Sequence, residues 1–366
     1  MSKLLTSANK LNHSFWLKVV NSTSVSIESV SIFRIITGFF ILLFNGNSFS
    51  WLGDAPRAFF DPPLLSLSIF FTRFPPKAFF STIEVILLVC TLFITLGIRA
   101  RLSTLVYVVL SIIAYSFQYS LGKIDHNFLF LALLICMSFS GWGSKLALVP
   151  DTLRKSDSPA KSLSLLSILV CFAFFSAGFA KGVKWMNVDF SKSGSAHWFY
   201  SGYYVMGRTY MLAPLVKNVP FFFFKLMDYA GVIFELSPLL CLLISRKSWH
   251  VWLLVACIFH LLNLLVLNIP FFINSVIYLA FFDYSGLFEK IKGKKPLLII
   301  YCIAGLLFAI RSYYLFSFKS SSILFIEDDN LKSLLWLYLT GWVIVFVVIF
   351  SLTSGKKDSY KEEINT

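Results

Sequence analysis

Apolar residues recur in long runs along almost the whole chain, and the short stretches between the runs carry most of the Lys and Arg. A helix that crosses the hydrocarbon core of a bilayer needs about 20 predominantly apolar residues. Ten runs meet or approach that length: 27–45, 78–98, 102–120, 124–143, 163–185, 221–244, 248–268, 270–287, 296–316 and 331–353. The pattern predicts an all-α, polytopic integral membrane helical bundle of about ten transmembrane helices, within a range of eight to ten. The eighth run is the shortest, and Pro270 leaves almost no loop before it. The seventh and eighth runs are therefore expected as a tight hairpin or a re-entrant pair.

Basic residues accumulate on loops that stay in the cytoplasm, so their distribution orients the bundle. With ten spans, eighteen fall on one side: Lys3, Lys10, Lys18, Arg99, Arg101, Lys145, Arg154, Lys155, Lys161, Arg246, Lys247, Lys290, Lys292, Lys294, Lys295, Lys356, Lys357 and Lys361. Eleven fall on the other, and both termini are predicted cytoplasmic. The opposite face carries the long connections, Asn45 to Lys77 and Met186 to Pro220, and an acidic loop with Glu327, Asp328 and Asp329. Within the first of these, Pro63 to Phe74 is apolar but too short to span, which suits a place in the interface. Trp185, Trp198, Tyr200 and Trp249 near span ends fit an aromatic belt.

Composition closes off other classes. Of 366 residues, 57% are hydrophobic and 14% charged, against about 45–50% and about 25% in soluble domains, so a soluble protein is excluded. A net charge of +14 would suggest nucleic acid in another chain. Here the charge lies in clusters between apolar runs, so membrane lipid is the expected partner and nucleic acid is not. All six cysteines lie inside apolar runs, which points to small core residues rather than a disulfide framework. Residues 1–21 lack an apolar stretch with a cleavage site, so the first span is the expected insertion signal.

Ionisable groups inside spans are costly and often functional. The set is Arg34, Glu84, His126, Lys181, Lys225, Asp228, Glu235, His260 and Arg311. Lys181, His126, His260, Glu84 and Asp228 fall at comparable predicted depth, which suits one cavity opening away from the cytoplasm. Each also has a structural reading. Lys181 is placed to snorkel at a helix end, His126 to sit exposed at a loop, and His260 to be a hydrogen-bonded core histidine. Asn263 and Asn268 suit hydrogen bonds to neighbouring helices, and Glu84, Asp228 and Glu235 suit charge partnership with Lys225 and Arg34. The five histidines show no paired metal-binding spacing, so no metal is expected. A haem would need His126 and His260 at one height, and their predicted depths, though compatible with one cavity, are not the same.

Five stretches, in order, resemble the vitamin K-dependent γ-glutamyl carboxylase group and the wider bacterial set that shares its horizontally transferred transmembrane (HTTM) domain. They are Phe33-Arg34-Ile35-Ile36-Thr37-Gly38, Leu96-Gly97-Ile98-Arg99, Lys123-Ile124-Asp125-His126-Asn127, Phe175-Ser176-Ala177-Gly178-Phe179-Ala180-Lys181 and Phe259-His260-Leu261-Leu262-Asn263. The resemblance implies a cytoplasmic segment 1–26, an HTTM-like domain over 27–287, two further helices over 288–353 and a cytoplasmic tail 354–366. It assigns Lys181 as the base that deprotonates a reduced quinone, vitamin K hydroquinone or menaquinol, with His126 and His260 as its catalytic companions. Asn127, Asn263, Phe175 and Phe179 are the implied cofactor contacts.

A lysine must shed its proton to act as a base, and an apolar setting disfavours the ammonium. The chain departs from the carboxylases where their paired lysines become Ala180-Lys181 and their aspartate-tryptophan becomes Asp189-Phe190. Two further spans stand where animal carboxylases have a large lumenal domain, which points away from propeptide-directed carboxylation. Three functions follow: a carboxylase-like enzyme modifying a peptide or small molecule at the outer face, a factor for maturation or export of a secreted peptide toxin, or a structural or quinone-binding subunit. The Phe-, Ile-, Lys- and Ser-rich composition suits a bacterial cytoplasmic membrane.

Overall fold

A computed structural model describes residues 2–46, 48–64, 66–122, 127–317, 323–326 and 330–354, with side chains from residue 9 onward. His126, Lys123 and the acidic triplet 327–329 lie outside the described residues. The regular structure of the described residues is all helical, with no strand and two isolated bridges. Its α-helices are α1 (Ser2–Thr23), α2 (Ile27–Phe44), α3 (Lys77–Leu96), α4 (Ala100–Gln118), α5 (Phe128–Ser138), α6 (Pro159–Trp185), α7 (Gly194–Tyr200), α8 (Phe221–Leu236), α9 (Pro238–Ile244), α10 (Arg246–Leu267), α11 (Ile273–Leu279), α12 (Ser285–Ile291), α13 (Lys294–Phe316) and α14 (Leu331–Ser354).

Seven of these are long and apolar enough to cross a membrane: α2, α3, α4, α6, α10, α13 and α14. Helices α8 and α9 make an eighth span if taken together, bent by 48°. Pro238 opens α9 without an N–H to donate, which explains a break at that point. The two other apolar runs form helices too short to span. Helix α5 ends at Ser138, because the chain turns through Gly141 at φ +77°. Helix α11 starts only after Asn268 and Phe271, both at positive φ, and is seven residues long. Residues 274–278 are all buried, so that run is apolar because protein surrounds it. An apolar segment of about ten residues reads as core rather than span on the same grounds.

The chain packs as two compact units, one comprising 25–163 and 283–334 and the other 1–24, 164–282 and 335–366. In the first, α3 packs on α2 and α4, and α13 on α2 and α3. Its centre is Arg34, wholly buried. The guanidinium donates to Ile94 O (2.5 Å), Thr95 O (2.8 Å) and Trp142 O (3.1 Å), to Lys145 O (3.4 Å) and to Leu146 O. Helix C-terminal carbonyls are natural partners for a cation. Gly97, at φ +71°, ends α3, and a Cβ there would stand 2.9 Å from Arg34 Nη1. Gly38 approaches so closely that a Cβ would collide with Thr95. The first two motifs, Phe33 to Gly38 and Leu96 to Arg99, are thus two sides of one clasp.

Glu84 accepts from the backbone N–H groups of Phe49 and Ser50, holding the start of the 45–77 connection. The charge partnership expected between Glu84 and Arg34 is not made: the acid binds amides and the base binds carbonyls. Of the apolar stretch 63–74, Ser66 and Ser68 both donate to Ser116 O, while Leu64 and Phe70 are exposed.

Candidate functional site

The second unit holds Lys181. Along the last four turns of α6, Phe174, Gly178, Lys181 and Trp185 recur at spacings of four, three and four, a single helical stripe. Phe172, Phe175, Phe179 and Val183 on the other flanks are exposed. Gly178 is the contact point with α8, since a Cβ there would lie 2.7 Å from the Cβ of Glu235. Gly182, one turn further, stands beside Val232. Small residues four apart are a common means of bringing membrane helices together.

That approach brings Glu235 under Lys181. The ammonium nitrogen bonds Glu235 Oε1 and lies over the Trp185 ring at 5.5 Å. Exposure is graded across the pair, 31% for the Lys181 side chain and 4% for Glu235. The second oxygen, Glu235 Oε2, is buried and has no hydrogen-bond partner among the described residues.

Lys225 and Asp228, expected as charge partners of other spans, serve the 185–196 connection instead. Lys225 Nζ is buried and donates to Asn187 Oδ1 (2.9 Å), Lys192 O (3.1 Å) and Trp185 O (3.2 Å). Asp228 accepts from Ser195 N (2.7 Å) and Gly194 N (3.2 Å). Tyr229 donates to Asn187 O. Asp189, on the surface of this loop, is a turn former: hydrogen bonds from Ser191 and the neighbouring Lys192 lower its carboxyl to about 2. Replacing Lys225 by Met leaves Trp185 O and Lys192 O without their donor, at about 3 kcal/mol. Faster proteolysis within 186–196, with unchanged helix content, is the expected result, and unaltered cleavage would contradict it.

His260 lies deeper in this unit. Its Nε2 is 2.8 Å from Tyr278 Oη, and its ring stacks on Trp342 at 5.2 Å with Phe271 at 5.3 Å and Phe174 at 6.1 Å. Phe174 is seven residues from Lys181, about 10 Å of helical rise, so the two predicted residues are linked through Phe174 rather than by direct contact. Asn263 is half-buried and its carbonyl accepts from Ile269 N at 3.3 Å, closing α10. Asn268 pairs both ways with the Tyr210 backbone at 3.0 Å. Phe175 and Phe179 stack on each other at 5.8 Å. At about 100° per residue they face well away from Lys181. Asn127 belongs to the other unit, where it precedes α5 and its carbonyl accepts from Leu131 N.

Four residues of this site were not predicted for it: Glu235, which was expected opposite Lys225 or Arg34, and Trp185, Tyr278 and Trp342. Trp185 was legible, being one turn from Lys181 on the same face. Tyr278 and Trp342 were not, because they reach His260 from 18 and 82 residues away and carry no local signal.

These features define a multi-pass helical membrane protein with a lysine–glutamate pair bridging two of its helices, α6 and α8. The chain belongs to the HTTM-domain family, whose model matches residues 23–285, most of the chain. Comparisons with curated proteins and with solved structures return no match. Membership relates the chain to the membrane domain of the carboxylases.

Proposed function

We propose that this protein is a membrane enzyme that takes the hydroxyl proton from a lipophilic quinol, with Lys181 as the accepting group. The Lys181–Glu235 pair carries this reading. A cation inside a span is expensive, and a snorkelling role needs no buried acid two helices away in sequence. The site also fits an aromatic hydroxyl: Lys181 is reachable and Trp185 offers a ring face beside it. When bound, a reduced quinone of the vitamin K or menaquinol type would supply the acidic hydroxyl and the reducing power. His260, held by Tyr278, would fix the aromatic floor two turns below.

The substrate is a peptide or small molecule at the outer face of a bacterial cytoplasmic membrane, with both termini inside. Replacing Lys181 by Met tests the reading. With normal insertion, K181M should consume a reduced naphthoquinone in the presence of oxygen at least about a hundredfold more slowly, the scale of a lost general base. An unchanged rate would leave a structural or quinone-binding role.

A further inference from the structure

We propose that Glu235 is the proton store of this site: the proton taken at Lys181 is held jointly by the lysine and the glutamate. The inference rests on the reading of Lys181 as proton acceptor. Because Glu235 lies behind Lys181 and is almost wholly covered, it acts through the lysine and is a positioning residue.

An ammonium has three hydrogens and no lone pair, so Lys181 paired as a cation can accept nothing. The pair can. It has no net charge whether the shared proton sits on nitrogen, as ammonium and carboxylate, or on oxygen, as amine and carboxylic acid. From either arrangement the ligand's O–H bond breaks, its electron pair stays on the ligand oxygen, and the pair ends as ammonium and carboxylic acid. The pair gains one positive charge beside the ligand's new negative charge, an attraction that weakly screening surroundings strengthen.

The geometry supplies the second acceptor. Lys181 passes its proton along its bond to Oε1 as it takes the ligand's, and Oε2, buried with no other partner among the described residues, accepts the ammonium's hydrogen bond once the carboxyl group turns over. Gly178 fixes the arrangement, because its missing Cβ is what lets the Glu235 backbone sit against α6. The neighbouring charges are engaged elsewhere. Lys184 is exposed, Lys225 and Asp228 bind the 185–196 loop, and His260 on α10 bonds Tyr278.

The probe is 4-methoxy-1-naphthol, which has one ionisable hydroxyl and a distinct naphtholate absorption, added to the full-length protein in detergent. Wild-type protein should shift naphtholate formation to lower pH by about one unit, a tenfold gain in anion at a given pH. E235Q should bind the probe within about twofold and lose that shift. Retention of the shift in E235Q together with its loss in K181M would overturn the proton store and leave the Lys181 reading intact. Retention in both would overturn the reading itself. Where E235Q does not fold, infrared difference spectra of the wild type decide: a carboxylic acid carbonyl band should grow with naphtholate, and its absence overturns the proposal.

Discussion

Replacing Arg34 by Met is expected to destabilise the protein by about 4 kcal/mol and to leave little of it monodisperse after solubilisation. The guanidinium donates to five backbone carbonyls from three separate segments: the C-terminus of α3, the Trp142 turn and residues 145–146. Hydrogen bonds from a charged donor contribute about 1.5–3 kcal/mol each, and loss of the donor leaves buried acceptors unsatisfied. Within a bilayer those carbonyls have no water to turn to. Arg34→Lys should recover only part of the loss, since an ammonium offers three donors and cannot fork between segments. Melting temperature and size-exclusion profile in detergent are the measurements. An R34M protein with an unaltered profile would show that the clasp is dispensable.

The same residue marks how far the sequence could be read. That Arg34 sits inside a span was visible, but an acidic partner was the natural expectation, because three carboxylates in spans, Glu84, Asp228 and Glu235, suited that role. The partners are carbonyls. A helix that stops inside the protein presents its last C=O groups as a negative end, and nothing in a hydropathy pattern says where a helix stops. Helices α5 and α11 illustrate the same limit, because apolar runs register burial without saying whether lipid or protein does the burying.

At the candidate site, Lys181 and His260 were legible as polar groups in apolar spans, and Gly178 as a small residue beside them. Which acid would meet Lys181 was not. Asp228 and Glu235 lie seven residues apart on one face of α8, and only the height at which α6 crosses α8 selects between them. The crossing is set at Gly178, a contact between residues 57 apart in sequence. Phe175 and Phe179 were adjacent to Lys181 in sequence and therefore attractive as cofactor contacts. The helical angle separates them from it.

Replacing Gly178 by Val should therefore act on both stability and site. A valine Cβ would fall 2.7 Å from Glu235 Cβ and 3.2 Å from its carbonyl carbon. Backbone on both sides leaves no flexible side chain to move, so α6 and α8 must separate, at about 2–3 kcal/mol for overpacking of this kind. Separation also pulls Lys181 from Glu235, so G178V should lose the naphtholate shift even where the protein remains folded. Gly182→Ala is the matched control. Its Cβ would meet Val232 at 3.4 Å, an ordinary contact, and alanine favours the helix. G182A should thus keep the shift and melt within about 0.5 kcal/mol of the wild type. If G178V melted like G182A and kept the shift, the close crossing would not be what holds the glutamate beneath the lysine.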